Sequence, residues 1–230
     1  MYYYSFIIMN YHIISLFPQV FDSYLSESIL KRAIENKKIK VKFYNPRDFT
    51  ISSRKGKKQS YADRRVDDKP YGGGPGMVIE ALPIIKAIQK AKSKIKSKKI
   101  KIIWFTPSGK QFDTEYAKSV ANKYTDIIFI CGRYEGIDAR VKKVFKVEEI
   151  SVGPFVLTGG ELPAMILIDS IGRQIKGVLG DINSLEETRI ASSDVYTRPE
   201  IIEYKGKKYK VPKVLLSGNH EKINEWKKDN

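Results

Sequence analysis

The chain has 230 residues, a length that suggests one domain or one domain with a small appendage. Hydrophobic residues make up 42%, which excludes wholesale disorder, and no apolar run reaches the ~18 residues of a membrane-spanning helix. The single cysteine, Cys131, excludes a disulfide framework and a cysteine-rich zinc site. A net charge of +16 favours a polyanionic partner, with nucleic acid the leading candidate. The coding bias of an A+T-rich genome is the alternative explanation of this charge.

Short apolar runs alternate with segments of helical periodicity along the chain. In chain order, the pattern predicts a strand at 11–16, a helix at 23–38, a strand at 40–44, a loop at 50–68, a helix at 81–96, a strand at 100–105, a helix capped by Asp113, strands at 126–131 and 147–152, and a helix at 161–175. This alternation predicts an α/β fold with a mainly parallel sheet.

Composition divides the chain into a main body and a small basic C-terminal part. We expect a domain over 9–179, an aperiodic polar linker over 180–193 and a second domain over 194–230. Residues 1–8 are interpreted as a tail or a misassigned start, because Met9 directly precedes the first strand. The start lacks the basic region and the cleavage site of a signal peptide, so we expect a cytoplasmic protein without membrane association.

Three glycine-bearing loops follow the predicted strands directly. They cover 106–109, 132–138 and 152–161, each at the carboxyl end of a strand. Ligands of open α/β sheets bind at this edge, so the coincidence of the three loops predicts a shared small-molecule site. Any one of the loops alone is also compatible with a simple turn.

A fourth loop, 66–77, contains four glycines within five residues, beside Asp67 and Tyr71. Glycines permit positive φ angles and close approach of a ligand or another backbone, which favours a binding loop over a structural turn. The loop matches neither the P-loop nor the dinucleotide-binding fingerprint. The triplet Arg133-Tyr134-Glu135 combines a cation, a stacking surface and a carboxylate, as nucleobase recognition requires. A surface ion pair beside a packed tyrosine is the alternative.

These motifs together resemble one family, the bacterial tRNA (guanine-N1)-methyltransferases called TrmD, of the SPOUT superfamily. The resemblance runs in register from Met9 to about Trp226, and its most specific parts are YGGGPGM, CGRYEGID and GGELPAM. The stretches that carry it are 14–18, 46–49, 66–77, 131–138, 158–169, 177–180, 196–200 and 214–220. The family modifies the guanosine just 3′ of the anticodon.

The resemblance implies an α/β fold with a deep trefoil knot, and a small C-terminal α-helical domain that binds tRNA. It also implies an obligate homodimer in which the two subunits share each active site. The cofactor would be S-adenosylmethionine, held by the three strand-end loops. The implied cofactor-binding residues are Phe105, Thr106, Pro107, Gly109, Gly132, Tyr134, Glu135, Val152, Gly153, Pro154, Phe155, Val156, Leu157, Gly159 and Gly160.

The resemblance also implies roles in substrate binding and catalysis. The implied substrate-binding residues are Asp67, Tyr71, Gly76, Arg133, Tyr134, Glu135, Asn219 and His220. Guanine N1 must lose its proton, so a carboxylate serves as general base and a cation stabilises the charge on O6. The cation matches Arg173, and the base matches Glu187, with Glu186 as the alternative. Family members also depend on Mg²⁺, although we assign no metal ligand.

Three departures from the family pattern accompany the resemblance. Residues 185–189 of the linker are Leu-Glu-Glu-Thr-Arg, where relatives usually carry Asp-Ser-Phe. Pro154 with Phe155 stands where Asp-Tyr is common, and the basic helical tail expected after the last residues is not part of this sequence. Two other functions therefore stay open: a related SPOUT RNA methyltransferase with another target, and an inactive RNA-binding protein.

Overall fold

A computed structural model describes residues 8–50, 64–179 and 192–229. The chain divides into two compact units, Met1–Leu179 and Gly180–Asn230. The linker glutamates Glu186 and Glu187 lie outside the described residues. The larger unit is an α/β structure, as the alternation of strands and helices predicted.

Five parallel strands form the central sheet of the larger unit, in the order β2-β1-β6-β5-β7. The strands are β1 (Met9–Ile14), β2 (Ile39–Tyr44), β5 (Ile100–Gln111), β6 (Asp126–Ile130) and β7 (Glu148–Ser151). Two short strands, β3 (Asp67–Asp68) and β4 (Val78–Ile79), pair with each other in antiparallel fashion. The helices are α1 (Asp22–Leu25), α2 (Ser28–Glu35), α3 (Ala81–Ser93), α4 (Thr114–Lys123), α5 (Arg140–Val144) and α6 (Glu161–Arg173).

Apolar residues on both faces of the sheet explain why its strands read as continuous hydrophobic runs. Along β6, Ile127 and Phe129 pack into one core with α2, α4 and α6. Ile128 and Ile130 point to the other face and pack against α3. Helices therefore cover both sides of the sheet. Among the described residues, no helix combines the length and the apolar character needed to cross a membrane.

The predicted helices and the strands of the central sheet are present, with two corrections. Of the loop expected over 50–68, residues 51–63 lie outside the described residues, and Asp67 and Asp68 form β3. The helix expected over 23–38 is two helices, α1 and α2, because the chain turns between them and Ser28 takes a φ of +50°. The strand expected to end at Phe105 continues to Gln111, with a register shift between Phe105 and Lys110. The predicted cap of α4 is confirmed, because the Asp113 side chain accepts a hydrogen bond from the Tyr116 amide at 2.7 Å.

Between β7 and α6, the chain runs back across the carboxyl ends of the neighbouring strands. Strand β7 lies at the edge beside β5, yet Gly160 donates its amide hydrogen bond to Gly132, which follows β6, at 2.9 Å. The segment after β7 therefore passes the carboxyl end of β5. The residues between Phe105 and Lys110, where the pairing of β5 with β7 is interrupted, form an excursion within β5. This excursion packs tightly against β7, since a Cβ on Gly109 would stand 2.6 Å from the Ile150 nitrogen. These crossings bring three loops to one place.

The smaller unit combines a β-hairpin with two helices. The hairpin pairs β8 (Ile201–Tyr204) with β9 (Lys207–Lys210), and the helices are α7 (Lys213–Leu216) and α8 (His220–Asp229). The resemblance implied an α-helical domain, and the hairpin is an addition that the sequence analysis did not predict. Its turn needs Gly206, which has a φ of +71°.

Candidate active site

A cavity of about 400 Å³ opens where the pairing of β5 is interrupted after Phe105, beside the carboxyl ends of β6 and β7. Its walls come from 104–107, 132–137, 150–153 and 155–160, with Pro163 of α6 completing them. The three loops that the sequence analysis grouped thus meet at one site. They meet because parallel strands deliver their carboxyl ends to the same sheet edge.

Most residues that the resemblance assigned to the cofactor line this cavity. The lining members of that set are Phe105, Thr106, Pro107, Gly132, Tyr134, Glu135, Val152, Gly153, Phe155, Val156, Leu157, Gly159 and Gly160. Gly109 and Pro154 are not among the lining residues. Gly109 instead lets β5 pass against the backbone of Glu149 and Ile150. Ile150, Ser151 and Pro163 also line the cavity, although they lie outside the predicted loops and their residue types gave no functional signal.

The glycine-rich loop docks beside the cavity through backbone hydrogen bonds. The Glu135 amide donates to the Met77 carbonyl and the Ile79 amide donates to the Gly136 carbonyl, both at 3.0 Å. Gly76 has a φ of +86°, and a Cβ there would stand 2.5 Å from Oε1 of Glu135. The predicted close approach is therefore real: the loop packs its glycine against a cavity-lining carboxylate.

The other candidates of this loop differ in exposure. Asp67 lies in β3 opposite Ile79, half-buried beside the cavity wall. Tyr71 is fully exposed. Tyr134 takes a φ of +59°, a conformation uncommon for a tyrosine, and leaves 51% of its surface exposed at the cavity. An aromatic face and a carboxylate from Glu135 are thus presented side by side at the opening.

Arg133 lines the cavity and also contacts a buried carboxylate that the sequence analysis overlooked. Its Nε lies 2.9 Å from Oε2 of Glu161, which is only 2% exposed. The Ser15 hydroxyl donates a hydrogen bond to the other oxygen, Oε1, at 2.7 Å. The guanidinium also stacks over the Phe17 ring, 4.8 Å from its centroid. A glutamate opening an otherwise apolar helix was the signal available in the sequence.

Arg173 lies far from the cavity within one chain. It is the last residue of α6, and Gly160 at the start of this helix lines the cavity. At 1.5 Å per residue, the length of α6 separates the two ends by about 18 Å. The described residues of a single chain thus leave this predicted catalytic cation outside the cavity.

Two predicted substrate residues lie in the smaller unit. The Asn219 side chain accepts hydrogen bonds from the amides of Glu221 and Lys222, at 3.1 and 3.2 Å, and so caps α8. His220 is the first residue of that helix and is exposed. Capping α8 is therefore a structural role of Asn219, separate from its predicted contact with substrate.

Two further features bear on the chemistry of the site, namely the protonation of the Cys131 thiol and the arrangement of possible metal ligands. Burial, with the nearby Glu161 carboxylate, raises the pKa of the Cys131 thiol well above its usual value, so the group stays neutral. Within 8–50, 64–179 and 192–229, no group of three His, Cys, Asp or Glu side chains is arranged to hold a metal ion. The described side chains thus present no protein-built magnesium site.

Comparison with known proteins identifies the family. The model of the family described as tRNA (Guanine-1)-methyltransferase TrmD matches residues 9–230. The chain belongs to the TrmD family. This membership confirms the resemblance seen in the sequence, and it agrees with a mainly parallel α/β unit that carries a cavity at its strand ends.

Individual relatives of the TrmD family match nearly the whole chain. A tRNA (guanine-N(1)-)-methyltransferase of Clostridioides difficile (strain 630) is 46% identical over 225 residues, covering 96% of this chain and 91% of the relative. A protein of the same name from Vibrio cholerae serotype O1 is 44% identical, covering 94% and 83%. The crystal structure of a tRNA (m1G37) methyltransferase from Aquifex aeolicus superimposes with a TM-score of 0.75 at 34% identity, covering 97% of this chain and 89% of that one.

Proposed function

We propose that this protein transfers the methyl group of S-adenosylmethionine to N1 of the guanosine 3′ of the anticodon in tRNA. The observation that carries the proposal is the cavity formed by three strand-end loops in a member of the TrmD family. Its volume of about 400 Å³ falls within the range of small-molecule sites. When bound, the cofactor supplies an electrophilic methyl group on a sulfonium.

Tyr134 and Glu135 carry recognition of the target base in this proposal. The tyrosine ring offers a stacking surface, and the carboxylate accepts a hydrogen bond from the exocyclic N2–H group of guanine, which leaves N1 open to deprotonation and methyl transfer. Gly76 supports this arrangement because it packs directly on the Glu135 carboxylate. Asp67 and Tyr71 belong to the same loop segment and contribute further contacts to the flipped nucleotide, together with Arg133.

Catalysis requires removal of the N1 proton and stabilisation of charge on O6. Glu187 is the general base, with Glu186 as the alternative, because a glutamate has the chemistry of the aspartate found in relatives. Arg173 stabilises the developing negative charge on O6. A glutamate is one methylene longer than aspartate, and the linker must adjust to it, since a ~1 Å misplacement costs about 100-fold in rate.

The position of Arg173 supports a shared active site. About 18 Å of helix separates it from the cavity wall of its own chain, which exceeds the reach of an arginine side chain. Arg173 therefore acts at the cavity of a second copy of this chain. This arrangement makes the homodimer, rather than the single chain, the catalytic unit.

An exposed apolar surface lies where such a dimer would form. Leu162 and Ile166 of α6 are 50% and 38% exposed, and at helical spacing they share a face with Arg173. The neighbouring segment adds exposed Phe17, Val20 and Tyr24, and the Tyr24 hydroxyl donates a hydrogen bond to Asp169 of the same helix. Contiguous apolar surface of this kind is typical of a protein interface.

The smaller unit suits contact with tRNA. Its hairpin exposes Tyr204 and Tyr209 beside several lysines, namely Lys205, Lys207, Lys208 and Lys210. Lysines neutralise phosphates and exposed tyrosines stack on unpaired bases. Asn219 and His220 at the start of α8 complete the proposed RNA surface of this unit. Because the substrate is tRNA and the lone cysteine suits a reducing compartment, we propose a cytoplasmic location.

Two further features follow from family membership alone. A deep trefoil knot would involve the β5 excursion and the segment that crosses behind it to reach Gly160, and the close passage of Gly109 against β7 supports this proposal. Dependence on Mg²⁺ is the second feature. The described side chains offer no cluster that fits the ion, so we assign it no step.

The test is methyl transfer from labelled S-adenosylmethionine to a tRNA transcript with guanosine 3′ of its anticodon, followed by identification of the product nucleoside. We expect N1-methylguanosine from the wild type and from Glu186→Gln, and loss of transfer in Glu187→Gln. Activity that survives both substitutions would mean that the general base lies elsewhere. A ribose-methylated product would indicate a related RNA methyltransferase, and RNA binding without transfer would indicate an inactive binding protein.

A further inference from the structure

Three chain segments meet around the buried carboxylate of Glu161. The first is the end of β1, where the Phe17 amide donates to the Ser15 hydroxyl at 2.9 Å and that hydroxyl donates to Glu161. The second is the loop after β6, represented by Arg133. The third is the loop before α6, which ends in Glu161 itself. Two of these segments form walls of the cavity.

The contact between the two cavity walls is too tight to admit any side chain larger than a hydrogen. A Cβ on Gly159 would stand 2.4 Å from Nε of Arg133 and 2.6 Å from Oε2 of Glu161. Gly159 and Arg133 also form an isolated antiparallel bridge, and Nη1 of Arg133 donates to the Thr158 carbonyl at 3.4 Å. Arg133 thus holds the opposite loop through both its charge and its hydrogen bonding.

We propose that the Arg133–Glu161 ion pair, completed by Ser15, is a positioning element that fixes the base-reading residues relative to the cofactor loop. Tyr134 and Glu135 follow Arg133 directly, whereas the segment from Val152 to Gly160 forms the facing wall. Anchoring Arg133 to Glu161 therefore sets the distance between the nucleobase and the cofactor. The identity of these two ligands rests on the proposed function, but the anchoring itself is a property of the loops.

A purely stabilising role is a poor explanation of this pair. Removing two charges from water costs free energy, and apolar residues of similar volume often replace a buried ion pair without loss of stability. The pair also lies at the cavity rather than in the centre of either core. What the buried charge of Glu161 supplies, and apolar packing does not, is an attraction that holds the guanidinium against the facing loop, where the Nη1 hydrogen bond to the Thr158 carbonyl sets its direction.

The experiment compares Glu161→Gln and Arg133→Lys with the wild type. Glutamine keeps the shape of the side chain, while lysine keeps the charge but loses the forked geometry of the guanidinium. Asp126→Asn is the matched control, because Asp126 contacts His12 in another buried pair on β1 and β6, at 3.2 Å, at the opposite end of the sheet. The readouts are kcat with both substrates saturating, the KM for S-adenosylmethionine measured with tRNA saturating, and backbone hydrogen exchange.

We expect kcat to fall about 10- to 100-fold in both cavity variants, as a displacement near 1 Å predicts, while the KM for S-adenosylmethionine changes by less than about threefold. Hydrogen exchange should accelerate at the amides of Tyr134, Gly136 and Gly160 in these variants and stay unchanged there in Asp126→Asn. Unaltered exchange at these amides, or an equal fall in kcat in the control, overturns the proposal. Because the exchange readout needs no turnover, an inactive wild type would refute the proposed function and still leave the positioning role measurable.

Discussion

Arg173 shows why a catalytic role has to be argued from position as well as from residue type. The arginine has the charge that stabilisation of O6 requires, yet it ends α6 while the cavity adjoins the start of that helix. Within one chain, the length of α6 places it about 18 Å from the cavity wall. Its proposed role therefore depends on a second copy of the chain.

The first prediction concerns Arg173→Ala. Turnover should fall at least about 100-fold, because one donor to a developing oxyanion is worth that much in other enzymes. The dissociation constant for S-adenosylmethionine should stay within about twofold of wild type, since the proposed contact of Arg173 is with O6 of the guanine and not with the cofactor. Single-turnover kinetics and calorimetric titration measure the two quantities. Full activity in the variant would contradict the proposed role.

A second prediction follows from His12, which is buried between the Tyr44 hydroxyl at 3.1 Å and Asp126 at 3.2 Å. Burial lowers the pKa of His12, and this effect outweighs the opposing influence of Asp126. Below about pH 6.5 the unfolded chain takes up a proton that the folded chain resists, so stability must fall as the pH falls. The folded imidazole is thus a source of acid sensitivity.

The measurement is the free energy of unfolding at about pH 7.5 and about pH 5.5 for the wild type and for His12→Asn. The wild type should lose more stability than the variant between the two values, whatever the absolute stability of the variant. Equal losses in both proteins would show that the pKa of His12 is the same in the folded and unfolded chains.

At the scale of elements, the sequence predicted the five strands of the central sheet, because the inner strands carry apolar runs, but it predicted none of the short antiparallel strands β3, β4, β8 and β9. It placed the end of β5 too early, since the excursion at Thr106-Pro107 looks like a stop. Only tertiary contact with β7 restores pairing beyond it, at Lys110 and Gln111. The three cavity loops could be grouped from strand order alone, whereas the Arg133–Glu161 contact joins residues 28 positions apart and leaves no local pattern.

The third prediction concerns the start of α4, where the Asp113 side chain accepts the Tyr116 amide. Asp113→Ala should lower the free energy of unfolding by about 1 kcal/mol, because it leaves a helix-terminal amide without its side-chain partner. Asp113→Asn is the control and should lose less, since asparagine also caps helices. Methyl transfer should stay at the wild-type level in both, because the cap does not line the cavity. Chemical denaturation measures the difference.

At the scale of the whole molecule, the proposed function requires an active site that no single chain completes. In that proposal the cavity belongs to one copy, and Arg173 reaches it from another. The proposed trefoil knot could not be derived from periodicity, because hydrophobic patterns report local structure and not the path of one segment behind another. The same holds for the proposed dimer, because the exposed apolar residues assigned to its interface are scattered along the sequence, between Phe17 and Ile166.

The most direct test pairs two inactive variants in one dimer. Gly132→Leu is designed to obstruct the cavity, because Gly132 lines it and a Cβ there meets Ile137 at 3.6 Å, an ordinary van der Waals distance. Arg173→Ala removes the cation. The two chains, carrying different affinity tags, are produced together, and the mixed dimer is purified through both tags.

If the subunits share each site, the mixed dimer has one cavity with both groups intact and should regain about half of the wild-type activity. Each pure variant dimer, assayed in parallel as the control, should stay inactive. A mixed dimer as inactive as its parents would show that Arg173 serves the cavity of its own chain, and it would contradict the central claim of a shared active site.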